Sequence, residues 1–162
     1  MTQPAPDKTD LKILQVLQSN GRLSNVELSE RVALSPSPCL RRIKHLEDTG
    51  VIRRYAALLN PQKLGLDMQA FIRVSIDKSE EARTQFSQAV QTWPEVLSCY
   101  ALTGETDYLL HTLFPDIAAF SHFVLRVLLS HPGVQDAKSS FVLEELKNTT
   151  ALPLGHLQED AL

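Results

Sequence analysis

Ser24-Asn25-Val26-Glu27-Leu28-Ser29-Glu30-Arg31-Val32-Ala33-Leu34-Ser35-Pro36-Ser37-Pro38-Cys39-Leu40-Arg41-Arg42 decides how the first third of the chain folds. Ser24 and Glu27 have the spacing of a capping box. The hydroxyl takes one free backbone N–H at a helix start, and the carboxylate reaches back to another. Val26, Leu28 and Val32 follow at helical spacing. A tight turn at Ala33-Leu34 leads into Ser35-Pro36-Ser37-Pro38. With Ser35 as cap, both prolines fall in the first turn of a new helix, where N–H groups have no helical acceptor. Leu40, Ile43 and Leu46 are expected as its buried stripe, and Thr49-Gly50 ends it.

Outward from that stretch, Thr9 can cap an earlier helix carrying Leu11, Ile13, Leu14 and Leu17, which stops at Asn20-Gly21. Two short helices, a turn and a third helix make a tri-helical unit. In its DNA-binding form the third helix enters the major groove, its N-terminal part near the bases. That helix needs one apolar face and one basic or hydrogen-bonding face. Arg41, Arg42, Lys44 and His45 lie between the apolar positions. Ser35, Ser37 and the adjoining Pro38 stand at the helix start, where free N–H groups attract phosphate. Arg41 or Arg42 has the reach to bond a guanine edge. Val51 to Tyr55 and Ala57 to Leu59 read as extended pieces of a wing, with Arg53 and Arg54 suited to phosphate. On basic residues alone, a solvated helix face fits equally.

Charge divides the same way. Residues 1–60 hold nine Lys or Arg against six Asp or Glu, and residues 61–162 hold seven against thirteen. A basic front and an acidic back suggest that only the front meets a polyanion. With 43% apolar and 22% charged residues, the chain has enough apolar sequence for a core. Two distant cysteines, Cys39 and Cys99, fit a reducing cytoplasm better than a disulfide framework. No secretory leader or membrane span is expected, since the most apolar stretch, Phe123 to Leu129, is short and contains Arg126.

Asn60-Pro61 breaks the pattern and opens a linker through Gly65. Met68, Ala70, Ile72, Val74 and Ile76 then alternate as a strand. Ser79 can cap a helix carrying Phe86, Ala89 and Val90. Val96 to Leu102 and Tyr108 to Phe114 are joined by Thr103-Gly104-Glu105-Thr106-Asp107, a hairpin signal. Asp116 caps a second helix closed by His131-Pro132-Gly133, and Val134 to Leu146 forms a last long strand. The order β-α-β-β-α-β predicts an α+β chain: a winged helix-turn-helix over 1–60, a linker over 61–65, a ferredoxin-like domain over 66–148 and a tail over 149–162. Leu152, Leu154 and Leu157 of the tail have the character to pack on a neighbour. The five histidines fall at no metal-ligand spacing, and no nucleophile–base pair or cofactor motif is present. No metal, no cofactor and no catalytic residue is therefore expected. Asp107 is either a turn residue or, with loop N–H groups, a holder of the charged ends of an amino acid.

Asn25 to Arg42 resembles the helix-turn-helix of the Lrp/AsnC family, the feast/famine transcriptional regulators. Tyr55-Ala56-Ala57-Leu58-Leu59-Asn60-Pro61 resembles that family's exit from the wing. Gly104-Glu105-Thr106-Asp107-Tyr108 resembles its Gly-x-x-Asp-Tyr hairpin, and Phe141-Val142-Leu143-Glu144-Glu145 its final strand. Arg41 stands where some members carry an acidic residue. The resemblance implies a bacterial, cytoplasmic, nucleoid-associated regulator that binds double-stranded DNA. It further implies dimers formed through the sheet that assemble into octamers or similar rings, like the leucine-responsive branch. An amino-acid effector, leucine or methionine, is implied at Gly104, Thr106, Asp107 and Tyr108, with Val134, Gln135, Asp136 and Ser139 from a facing subunit. A nucleoid-organising protein without effector, and a small amino-acid-handling enzyme, are the alternatives.

Overall fold

Asp7, rather than Thr9, opens the first helix. In the computed structural model, which describes residues 5–159, α1 runs Lys8–Ser19. The Asp7 carboxylate accepts the N–H groups of Thr9 and Asp10 at 2.8 Å each, and the Asp10 carboxylate accepts the N–H of Asp7. An acidic pair three apart is a capping box as good as a Ser–Glu one, because an ionised carboxylate is the stronger acceptor at the positive end of a helix. α2 spans Asn25–Arg31 and opens with the expected Ser24–Glu27 box. Ala33, in the turn that follows, sits in the left-handed region at φ 57. The N–H of Leu34 then closes the turn onto the carbonyl of Ser29.

α3 spans Pro36–Asp48 with Ser35 in an extended N-cap conformation, although the Ser35 hydroxyl makes no capping bond. Its buried stripe is Cys39, Ile43 and Leu46, packed with Ile13, Leu28 and Val32. Leu40 is 55% exposed. Spacings of four and three keep 39, 43 and 46 on one line, whereas Leu40 stands about 100° away from Cys39 around the axis. Cys39 thus takes the place in the stripe expected of Leu40, while Ile43 and Leu46 keep theirs. Beyond Gly50 the chain bends at Val51-Ile52, and the expected wing residues belong to no strand ladder among the described residues. Tyr55 instead donates its hydroxyl to Glu47 at 2.9 Å.

The second part is a four-stranded antiparallel sheet in the order β2-β3-β1-β4, from β1 (Met68–Ile76), β2 (Val96–Ala101), β3 (Tyr108–Phe114) and β4 (Val134–Phe141). Ser79 caps α4 (Glu80–Val90), Asp116 caps α5 (Ile117–His122), and a π-helical turn over Phe123–Leu128 completes the second crossover. Alternation along β1 puts Ala70, Ile72, Val74 and Ile76 under the helices, against Phe86, Phe123 and Leu128. Gln69, Phe71, Arg73 and Ser75 therefore point to the other face. β4 is shorter than the sequence suggests. It ends at Phe141; the N–H of Val142 still bonds the Gln69 carbonyl, but Leu143 and Leu146 are almost fully exposed.

Packing divides the chain into two units. One runs to Leu58 and regains the chain from Lys147 onward; the other is Leu59–Leu146. The tail thus joins the first unit. The Gln18 side chain donates to the carbonyl of Leu152 and accepts its N–H, and a last turn, α6, covers His156–Glu159. A 3-10 turn, Gln62–Leu64, ends at Gly65 in the left-handed region within the expected linker.

Candidate nucleic-acid interface and effector site

With Cys39, Ile43 and Leu46 turned inward, helical geometry places Ser37, Leu40, Arg41 and Lys44 on the opposite face of α3. All four are exposed. His45 is exposed on the flank and Pro38 is half-buried there. Ser35 is exposed beside the helix start. The Asn25 side chain donates to the Pro36 carbonyl at 2.8 Å and so ties the start of α2 to that of α3. Arg53 and Arg54 are exposed on the irregular segment after α3. Ser37, Arg41 and Lys44 thus share a face, whereas Arg53 and Arg54 lie on a separate segment of the same unit.

Arg42 is placed differently from its neighbours. Its Nη1 lies 2.7 Å from Asp7 Oδ2 and 2.8 Å from Asp10 Oδ1, with the Asp10 side chain only 11% exposed. The guanidinium joins the middle of α3 to the cap of α1. Burial pushes the Asp7 carboxyl up, but the Asp10 N–H and the Arg42 guanidinium outweigh it and hold the group below the usual carboxylate range. The sequence reading missed Asp7 and Asp10, although Asp7-Lys8-Thr9-Asp10 carries the capping signature in plain view.

At the far end of the sheet, Ile76 and Asp77 gather the hairpin and the start of β4. Ile76 N–H donates to Asp107 Oδ2 at 2.9 Å, and Asp77 N–H to the Gly133 carbonyl at 2.7 Å. Asp107 N–H in turn bonds the Val74 carbonyl. One carboxylate oxygen of Asp107 therefore closes the hairpin against β1. Gly104 has φ 117, which favours glycine at this bend. Thr106 is half-buried, and Tyr108 packs its ring on Phe86 at 4.7 Å. Val134 and Gln135 border an open hollow of about 630 Å³ with Asp77, Ser79 and Glu81. Asp136 pairs loosely with Lys138 at 3.7 Å, and Ser139 lies farther along β4 opposite Ile72. Hence Asp107 and Val134 meet at Ile76 within one chain, while Ser139 stands apart from them.

No group of three or more His, Cys, Asp or Glu side chains is arranged to hold a metal among the described residues. No described helix is long and apolar enough to cross a membrane. The Lrp/AsnC ligand binding domain family matches residues 69–152, and the winged helix-turn-helix DNA-binding family matches residues 6–53. The leucine-responsive regulatory protein of Escherichia coli K12 is 42% identical over 147 residues, 90% of either chain. The chain belongs to the Lrp/AsnC family.

Two solved structures extend the comparison. A transcriptional regulator of Neisseria meningitidis, solved as a complex with L-methionine, is 70% identical at a TM-score of 0.93, covering 94% of this chain and 99% of that one. An AsnC family transcriptional regulator from Agrobacterium tumefaciens is 39% identical at a TM-score of 0.88, covering 93% and 99%. As a member of the family, this chain is a DNA-binding transcriptional regulator with a winged helix-turn-helix and an effector-binding domain, and not an enzyme. The βαββαβ sheet expected from the strand and helix order is the ligand-binding part.

Proposed function

We propose that this regulator takes methionine as its effector and acts on DNA as an assembly of dimers. The observation that carries the effector is the L-methionine complex of the 70% identical relative. Methionine suits a site at the β1 end, where Asp77 and Glu81 offer carboxylates for an amino group and the Gly104–Tyr108 hairpin offers backbone N–H groups for a carboxylate. A neighbouring copy contributes Val134, Gln135, Asp136 and Ser139. Residues 1–60 carry the DNA contacts, residues 61–65 are the linker, and residues 66–148 carry the effector and the assembly.

The face of the sheet away from the helices supports the dimer. Phe71 stacks on His111 at 4.9 Å there, beside half-buried Leu109 and Leu113 and a Tyr100 that is 55% exposed. Such a face is the surface that a second sheet covers. Exposed Ile117, Leu125 and Leu129 on the helical side support further assembly into an octamer or similar ring. On DNA, Arg41, Lys44 and Ser37 face the groove, Ser35, Pro38 and His45 flank it, and Arg53 and Arg54 meet phosphate. Arg42 supports them from behind through Asp7 and Asp10. Calorimetry against the twenty amino acids tests the effector. Methionine should bind most tightly and leucine more weakly; no binding by either at millimolar concentration would favour a nucleoid organiser at work in the bacterial cytoplasm.

A further inference from the structure

Leu40 stands out once α3 is placed by its buried stripe. It is 55% exposed, whereas Cys39 and Leu46 on the same helix are 0% and 2% exposed. It lies in the second turn, one residue before Arg41, three after Ser37 and four before Lys44. Those three polar side chains make a basic, hydrogen-bonding surface, and Leu40 is a branched apolar group set within it. More than half of its surface stays open among the described residues.

We infer that Leu40 is a specificity-determining residue which packs on the 5-methyl group of a thymine in the major groove. The inference rests on the reading of α3 as the helix that enters DNA. Arg and Lys side chains bond guanine edges or phosphate, but neither recognises a thymine by its methyl group. In the major groove thymine presents that methyl beside its O4 acceptor, where cytosine has an N4 donor and no methyl, and the methyl itself is read by apolar contact. The N-terminal half of a recognition helix is the part that meets base edges, and Leu40 is there. Arg41 and Lys44 draw the helix onto the backbone electrostatically. Leu40 then adds discrimination that is independent of salt, because no counterion is released by an apolar contact.

The test needs the full-length protein and a site selected from a random DNA pool. Each thymine of that site is then replaced by deoxyuridine, which pairs identically and lacks the methyl. Wild-type protein should lose about four-fold in affinity per half-site at one thymine position, the worth of one buried methyl. Leu40→Ala should bind the thymine site that much more weakly and show no further loss with deoxyuridine. Its salt slope and melting temperature should match wild type, since the side chain is exposed and uncharged. Methyl sensitivity that survives in Leu40→Ala would overturn the assignment, as would a wild type insensitive at every thymine. Failure to enrich any sequence would instead overturn the reading of α3 as a sequence-reading helix, and this inference with it.

Discussion

Arg41 and Arg42 are adjacent in sequence and opposite in circumstance. The Arg41 side chain projects from the face of α3 away from the core, while Arg42 is held by Asp7 and Asp10. Arg41→Ala should cost about 1–3 kcal/mol of specific binding if it bonds a base. Arg42→Ala should leave the dependence of affinity on salt unchanged and lower the stability of the first unit by about 1–2 kcal/mol. Most of that comes from leaving Asp10 without its cation, since Asp7 is more than half exposed and its pair is screened. Gel shifts across a salt series, with thermal melts of both variants, separate the two roles. A salt slope lowered by Arg42→Ala as much as by Arg41→Ala would return Arg42 to the DNA surface. The Asp7 carboxyl, held below its ordinary value, adds stability that is complete above about pH 4 and is lost as the pH falls through its folded value. Ala33 gives a second expectation at this scale. A β-branched residue at its positive φ is strained, so Ala33→Val should destabilise by about 1–2 kcal/mol, whereas Ala33→Gly should not. Chemical denaturation of the three proteins measures the difference. The residue types on the exposed face of α3 were legible in the sequence, but the rotation of α3 was not. A one-residue shift of the stripe exchanges Leu40 for Cys39, and only packing against Ile13 and Leu28 decides between them.

Among the elements, β1 carries both surfaces of the second unit. Its inner side chains build the core, and its outer ones surround His111, which lies 2.6 Å from Gln69 and stacks on Phe71. Burial pushes the His111 imidazole below its usual range, and Glu145 opposes that only in part. A histidine with a lowered folded value stabilises the folded chain above about pH 6.5, and that stability is lost as the pH falls below it; covering the same face with a second sheet would bury the ring further. If the outer face pairs two sheets, the dimer should weaken between pH 7.5 and 5.5, and His111→Phe should remove the dependence. Sedimentation at both pH values reads this, and equal dissociation constants for the wild type would count against a buried His111 in the interface. At the β1 end, Gly133 has φ 87, and a Cβ there would lie 2.8 Å from that of Ala82. Gly133→Ala should therefore destabilise by about 1–3 kcal/mol and weaken effector binding, because the Gly133 carbonyl holds Asp77. Calorimetry with methionine at a temperature where the variant is folded checks the second part. The strands and both crossover helices were legible because alternation, caps and the Gly104 hairpin agree with one another. The end of β4 was not, since Val142-Leu143 has a strand's composition although the pairing with β1 ends at Phe141.

For the whole molecule, two units of different character share one chain, and the Asn60-Pro61 break in the sequence lies close to the Leu58/Leu59 boundary between them. The return of the tail to the first unit was not legible, because Leu152 bonds Gln18 through backbone groups that any residue supplies. The family follows from the order of the motifs and from the 42% identity to the leucine-responsive regulatory protein of Escherichia coli K12. A regulator of this kind couples an effector on one unit to DNA on the other, and such a coupling must appear as a change in DNA affinity when the effector is present. The most direct measurement is fluorescence anisotropy of a selected DNA site, titrated with the protein across a salt series, with and without saturating L-methionine. Affinity should fall linearly with the logarithm of salt concentration, and methionine should shift it by roughly 5–150-fold in either direction. Binding that ignores salt, or a titration that methionine leaves unmoved, would contradict a methionine-responsive DNA regulator.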